Sequence, residues 1–564
     1  MKRFLARGLA VAATVTPAAA LPLLNATVAT AATPTYNVVD VGPFGGEPSI
    51  ASSPSGELYD TTPQGGTILY KSLDDGSTWT KATTADPSSG DDCVSTDQSG
   101  ALYLCNLAGS PSKAPLQADV WKSINDGQSW MYGNNVIDQD AGTNLCGTSC
   151  NPFGVDRDWS DAYIPPGKTT GNALVALMYH DFYGPSQIWV NISTDGGKTF
   201  GPPSDILTHL TPNGTSQAVV AQADSACNTV PIGLRIEKTG PHPGRIYAAW
   251  IASDPESLVT GCNVTMVQAF HNLFVAWSDD GGQTWTPQLA YDAGIGHDAS
   301  TPFASFTLDN QGNPYIAFAS PGPSDNPVTC AVESIAGSVQ SDPSCAYHMW
   351  VVWSSDGGPT WDGGGGADPG SAARAYDVDP GSHPQTDVFP AIAAGAPGEV
   401  DVAWLRTDET EPTDPLGKFD PGGCAGTGPA NGNPTFYPPT CNWNLYQGQS
   451  LDLTQPPSKA SFTTAPITTT PMHVGDICNL GIFCVDPNSN RNLLDFISET
   501  VDPAGYAHIA YADDNKVNKL RVANQASGPS VLALAALHHR RHHRRHHRSH
   551  RRGHRRGHRR SHRR

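Results

Sequence analysis

The chain has 564 residues, with 57 Gly and 48 Pro but only 15% charged residues. That balance excludes a charge-rich disordered chain and points to short strands joined by many turns. The formal charge of −19 hides two opposite objects. The last 27 residues hold 13 Arg, 10 His and no acid, whereas residues 33–537 carry 18 Lys+Arg against 53 Asp+Glu.

In chain order, residues 1–32 read as an export signal. Lys2, Arg3 and Arg7 precede an apolar, Ala-rich stretch with small-residue cleavage sites near Ala18–Ala20 or Ala29–Ala31. An uncleaved anchor is the rival, but the stretch is short and Pro17 and Pro22 interrupt it. No later segment offers the roughly 18 apolar residues of a membrane span. The expectation is a secreted protein, extracellular or attached to a cell surface.

Residues 36–42, "YNVVDVG", read as a strand with no partner nearby. Next comes "PSIASS", a turn at "PSGE", then "LYDTT", "ILYKS", the octet "SLDDGSTW" and "WTKAT": four antiparallel strands with the octet as the last hairpin. The octet recurs as "SINDGQSW" from Ser123, "STDGGKTF" from Ser193, "SDDGGQTW" from Ser278 and "SSDGGPTW" from Ser354. Two units lack a good octet, one running from Phe389 and one from Phe496. The last has only three strands, and residues 36–42 supply the fourth by circular closure, which covers exposed edges. The fold class is therefore all-β: a β-propeller of four-stranded antiparallel blades, seven by this count with six as the alternative, over residues 33–527. Residues 528–564 form a disordered His/Arg-rich tail.

Within each octet, Asp74, Asn125, Asp195, Asp280 and Asp356 are placed to accept backbone hydrogen bonds and close the turn. The glycines four positions into each octet supply left-handed backbone, and the closing Trp or Phe plugs the space between blades. One acid per distant loop makes no calcium shell, so no metal is expected, nor any other cofactor. The octets resemble the Asp-box, or BNR repeat, of sialidase-like β-propellers. That resemblance implies exo-glycosidases such as sialidases, other glycan-active enzymes, or propellers without catalysis.

Twelve cysteines in an exported chain imply disulfides. Cys93 and Cys105 flank a hairpin and face each other on neighbouring strands. Proximity alone suggests Cys146–Cys150, Cys227–Cys262, Cys330–Cys345, Cys424–Cys441 and Cys478–Cys484.

The inner strand of each blade lines the central channel, and each is approached by an acid: Glu47, Asp92, Asp156 with Asp158, Asp224, Asp298, Asp387 and Asp495. A rim of carboxylates shifts pKa values or positions a general acid, while turn capping is the structural alternative. Of the body's seven arginines, Arg157 and Arg491 lie near blade entries and complete the candidate ligand-binding rim. Arg245 and Arg406 sit on or beside second strands and read as structural, and Arg235, Arg374 and Arg521 complete the set. The sialidase resemblance implies three arginines clamping a carboxylate, yet "FGGEPSI" places Glu47 where the first of them belongs. The catalytic residues, nucleophile included, stay unassigned. No Gly-x-Ser-x-Gly, HExxH or Walker motif is present.

Two readings remain at this point: a secreted exo-glycosidase of exo-α-sialidase-like type, or a non-catalytic carbohydrate- or protein-binding propeller. The expected partner is a glycan or glycoconjugate. The tail suits anionic cell-envelope polymers, and nucleic acid is a poor match for an exported chain without an aromatic-studded basic domain.

Overall fold

The computed structural model describes residues 32–63, 66–86, 90–108, 117–133, 155–181, 187–211, 216–226, 228–253, 270–293, 303–320, 333–335, 338–340, 347–361, 375–380, 385–408, 441–456, 459–475, 477 and 491–532. The expected signal up to residue 31 and the tail from 533 onward lie outside this set. So do Asp298, Arg374, the side chain of Asp156 and every cysteine but Cys93, Cys105 and Cys441.

Seven antiparallel sheets form the blades, each running from an inner to an outer strand. Blade 1 is Ser49–Ser52, Leu58–Thr62, Ile68–Ser72 and Thr80–Lys81; blade 2 is Asp92–Thr96, Leu102–Ala108, Gln117–Ser123 and Met131–Tyr132. Blade 3 is Val155–Tyr163, Leu174–Asp181, Gln187–Ser193 and Ser204–Asp205; blade 4 is Asn228–Ile236, Ile246–Ser253, Asn272–Ser278 and Thr286–Asp292. Blade 5 is Ala304–Leu308, Pro314–Ser320, His348–Trp353 and Tyr376–Asp377. Blade 6 is Asp387–Ala394, Val400–Thr407, Asn442–Ser450 and Thr463–Pro466, with His473–Val474 also paired to its third strand. Blade 7 takes Ser498–Val501, Ala507–Asp513 and Lys519–Ser527 from the C-terminal end and Thr35–Pro43 from the N-terminal end as its outer strand. Val38 opposes Ala523 and Tyr36 opposes Gln525, so the closure expected from residues 36–42 is present, and the inner strands of blades 1 and 7 are in contact. Two elements were not anticipated: a helix, Ser216–Asp224, before blade 4, and a hairpin of Glu333–Ile335 with Ser338–Gln340 inside blade 5.

The second strands are covered on both faces by neighbouring blades. Pro314–Ser320 and Val400–Thr407 are buried along their whole length, which is why they read as continuous apolar runs rather than alternating ones. The cores lie between blades: Trp250, Phe274 and Trp285 pack with Met178 and Val190 of the preceding blade. Each fully buried large side chain of this kind contributes roughly 1.5–3 kcal/mol.

The octets act as hairpin clasps. Ser278 Oγ donates to Asp280 Oδ1 (2.8 Å) and accepts from Gly282 N (2.8 Å), while Asp280 accepts from Thr284 N (2.9 Å) and Thr284 Oγ1 (2.6 Å). The same bonds form around Asp74, Asp195 and Asp356; Asn125 Oδ1 accepts from Ser123 Oγ and Ser129 N, but its Nδ2 donates to Ser129 Oγ. Gly282 has φ +84°, and a Cβ there would lie 2.9 Å from Ile192 Cγ1 of blade 3, so the clasp also seats one blade on the last. A sixth clasp is present in blade 6. Ser450 Oγ donates to Asp452 Oδ1 (3.0 Å), and Asp452 accepts from Ser461 N (3.0 Å), nine residues on.

A second recurring turn joins first to second strands. Asp97 accepts from Ser99 N, Ala101 N and Tyr103 OH, and Asp309 repeats this with Gln311 N, Asn313 N and Tyr315 OH. Cys93 and Cys105 face each other in register and form the expected disulfide. Cys441 is also disulfide-bonded, and its expected partner Cys424 lies outside the described residues. Residues 528–532, placed with the tail by composition, instead pack on the body. Val531 is fully buried, and its carbonyl accepts from Ala396 N (2.9 Å), because an apolar side chain here fills the space above Gly395. Among the described residues no helix is long and apolar enough to cross a membrane.

Candidate functional site at the entry face

Antiparallel order puts the start of every inner strand on one face, here the entry face, and the octet clasps on the opposite exit face. The connections differ sharply in length. Exit-face turns such as 53–57, 97–101, 309–313, 395–399 and 502–506 have five residues, whereas entry-face connections include 133–154, 206–227, 321–347, 408–441 and 475–497. Long connections on a rigid scaffold are where binding and catalytic groups concentrate.

The backbone carries the same asymmetry. Among the described residues, five of the seven non-glycine residues with positive φ are Phe44, Glu47, Arg157, Phe389 and Leu494, all at inner-strand approaches on the entry face. Three inner strands bulge there, between Asp156 and Asp158, Pro231 and Gly233, and Val388 and Ala391. A bulge adds a residue and re-aims its side chain. Arg157 is such a residue, and left-handed backbone outside glycine costs of order 1–3 kcal/mol.

Four of the sequence candidates meet at this mouth. Arg491 forks onto Asp495, Nε to Oδ1 at 3.2 Å and Nη2 to Oδ2 at 2.8 Å, and the same Nη2 lies 3.8 Å from Glu47 Oε1. Arg157 reaches across from blade 3 to Asp495 Oδ2 at 3.4 Å, with its guanidinium 4.4 Å from the centre of the Phe303 ring. Phe303 meets Phe389 edge-on at 5.3 Å. Glu47 is buried, its N–H bonded to Leu493 O (3.4 Å), and its carboxyl shares a hydrogen bond with Asp495. Burial, then the charges of Asp91 and Asp495, hold Glu47 well above the usual carboxylate range, with Arg491 opposing. On the lip, Phe44 is 53% exposed, and its loop is fixed by Asn518, whose Oδ1 accepts from Gly45 N at 2.7 Å.

His180, opposite Asp156 in blade 3, is buried beside Arg157. Burial first and the guanidinium second lower its pKa to about 3, so the imidazole is neutral.

The other candidates go elsewhere. Asp92 is fully buried between blades 1 and 2 and accepts from Thr61 Oγ1 at 2.8 Å; it is its neighbour Asp91 whose charge acts on Glu47. Asp158 is buried on the channel wall. Asp387 is taken by Arg406, Nε to Oδ1 at 2.6 Å and Nη2 to Oδ2 at 2.7 Å, and Arg406 also pairs with Asp379. Asp224 ends the helix Ser216–Asp224, four positions before the inner strand it was expected to introduce. Arg245 pairs with Asp279 at 2.7 Å, and Arg521 with Asp40 and Asp513. Two arginines, not three, thus meet at the mouth among the described residues. Sequence reasoning missed Phe303, Phe389 and His180; Phe389 lies in one bulge and His180 lies opposite Asp156 at another, and neither bulge is marked in the sequence. Among the described residues no group of three or more His, Cys, Asp or Glu is arranged to hold a metal ion.

Below the mouth runs a channel of about 330 Å³ lined by the inner strands. No family model matches the chain, and no curated protein matches it. Among solved structures it is similar to a polysaccharide lyase described as an ulvan lyase, with a TM-score of 0.44 and 12% identity over 90% of this chain and 99% of that one. It is also similar to an α-L-arabinanase of Penicillium chrysogenum complexed with arabinobiose, with a TM-score of 0.36 and 13% identity over 67% and 94%. A third is the intramolecular trans-sialidase from Ruminococcus gnavus, with a TM-score of 0.35 and 12% identity over 88% and 96%.

Proposed function

We propose that this is an exported, carbohydrate-active propeller of the sialidase-like Asp-box kind that takes a glycan at its entry face, with Glu47 as general acid. The observation that carries the reading is the buried Glu47 carboxyl, its pKa raised by burial and by Asp91 and Asp495, held beside Asp495 where Arg491 and Arg157 converge. A carboxyl whose pKa is raised by burial and like-charge neighbours suits protonation of a glycosidic oxygen. Asp495, fixed by Arg491 and Arg157, keeps negative charge beside a developing oxocarbenium ion, and Glu47 regains its proton from the water that completes hydrolysis. Phe44 offers a sugar-stacking surface on the lip. Glu47 and Asp495 share a hydrogen bond, far closer than the roughly 5–9.5 Å between the two carboxyl groups of common glycosidases. They act as one acid, and the partner nucleophile or base comes from elsewhere. The Cys93–Cys105 disulfide suits an oxidising compartment outside the cell.

The test is turnover of a panel of fluorogenic glycosides, a sialoside included, and of acidic polysaccharides, by wild-type and Glu47→Gln protein. The expected result is hydrolysis or cleavage of at least one substrate, with kcat lowered about 10²–10⁴-fold in Glu47→Gln. Because the acid must be protonated, activity holds at low pH and is lost as pH rises through the raised Glu47 pKa. Full activity in Glu47→Gln sinks the acid role. One observation favours a binding-only propeller: Arg157 and Arg491 are both committed to Asp495. Retention on a glycan array without turnover of any substrate decides for that second reading.

A further inference from the structure

The central channel holds an arginine that makes no ion pair among the described residues. Arg235, on the inner strand Asn228–Ile236, lines the channel and is partly buried. Its Nη1 donates to Leu234 O at 2.9 Å, and no carboxylate among the described residues lies within ion-pair distance of it. The acid whose field reaches it is Asp161, and that carboxylate is engaged by other groups. Oδ1 pairs with Lys238 Nζ (2.8 Å) and accepts from Ala162 N (2.8 Å), while Oδ2 accepts from Ile236 N (2.8 Å). Lys238 is spent in the same way, donating also to Thr96 O at 2.7 Å.

Lys238 and Asp161 pair with each other, which leaves Arg235 without an ion pair of its own, on a wall that also carries Asp158, Asp309 and Glu499. The other described arginines have acids: Arg157 and Arg491 take Asp495, Arg245 takes Asp279, Arg406 takes Asp387 and Arg521 takes Asp40. An unpaired guanidinium withdrawn from bulk water is costly, and its planar fork of N–H donors suits two oxygens of one anion. Burial lowers the Arg235 pKa, the direction expected of an uncompensated charge. The cavity of about 330 Å³ has ample room for a hydrated ion, and Ser305 and Thr307 also line it.

We propose that the central channel binds a small tetrahedral oxyanion, sulfate or phosphate, on the guanidinium of Arg235. This site is distinct from the Glu47–Asp495 pair and does not depend on glycan chemistry there.

Crystals of the wild-type protein soaked in selenate, an anomalously scattering stand-in for sulfate, test it directly. Titration calorimetry with sulfate and with phosphate at constant ionic strength measures the affinity and tells the two apart. A selenium peak at hydrogen-bonding distance from Arg235 is expected. Arg235→Gln is expected to lose the peak and to weaken binding at least tenfold, about 1.4 kcal/mol. Arg235→Lys, which keeps the charge but not the fork, falls between the two and serves if the glutamine variant does not fold. A channel without a peak, a peak unchanged in the variants, a bromide peak where selenate gives none, or a peak without heat in solution each overturns the proposal.

Discussion

Asp60 stands fully buried in the middle of the second strand of blade 1. Burial and the nearby Asp92 push its carboxyl well above the usual range, and the Thr61 N–H offsets this only in part. A carboxyl whose folded pKa is raised adds stability that is complete below the unfolded value of about 4 and is lost as pH climbs through the folded value. Asp60→Asn, which mimics the protonated form, is therefore expected to raise the melting temperature at pH 8 and to change it little at pH 4. Removal of a buried-charge penalty on the order of 1–3 kcal/mol sets the scale. Melting curves of both proteins at the two pH values check it; an equal effect at both would show that Asp60 is not the titrating group. Glu47 has the same sign of shift but lies at the mouth, where the cost serves the proposed chemistry.

The octet clasp is worth more than its exposed carboxylate suggests, because Ser278 is buried and joins Asp280 to the Gly282 N–H. Ser278→Ala leaves that N–H without an acceptor and is expected to cost about 1–3 kcal/mol in chemical denaturation. Gly282→Ala strains a left-handed residue and presses on Ile192, so it should destabilise at least as much, whereas Gly281→Ala meets open space and pays only for its own φ of +75°. These clasps were legible because serine, aspartate, glycine and threonine stand at fixed offsets and the hydrogen bonds are local. The blade 6 clasp was not: its Asp452 takes its second partner from Ser461, so the spacing that defines the octet is broken while the bond survives. The Asp97 and Asp309 turns were hidden for another reason. Their aspartates look like ordinary turn residues until Tyr103 and Tyr315 fold back onto them.

The ring closes where the two ends of the chain meet, and the seam is not purely apolar. Asp401 of blade 6 and Glu499 of blade 7 are buried near Tyr36 of the N-terminal strand. Burial holds Asp401 at about 7, and burial with the charge of Asp401 holds Glu499 well above its usual value. Stability drawn from this pair is present at acid pH and declines as pH rises through about 7, so wild-type protein should melt lower at pH 8.5 than at pH 5.5. Glu499→Gln is expected to narrow that difference, and an unchanged gap would exclude the seam as its source. Deleting Thr35–Pro43 removes the outer strand of blade 7 and should leave a protein that aggregates through its exposed edge, as size-exclusion chromatography would show. At this scale the sequence foretold the blade number and the closing strand, since both follow from counting repeats. The mouth was foretold only as a list of acids and arginines. Which of them converge depends on bulges and left-handed backbone at Glu47, Arg157, Phe389 and Leu494, and no residue pattern announces those.

The seam also fixes which way the molecule faces. Thr35 Oγ1 and Ser527 Oγ are hydrogen-bonded at 2.6 Å on the exit side, and the backbone then runs along that side to Val531, against Gly505. The arginine-rich segment 533–564 therefore starts on the side of the disc opposite Glu47. Held to an anionic wall by that segment, the propeller would sit like a cup on its base with the open end outward.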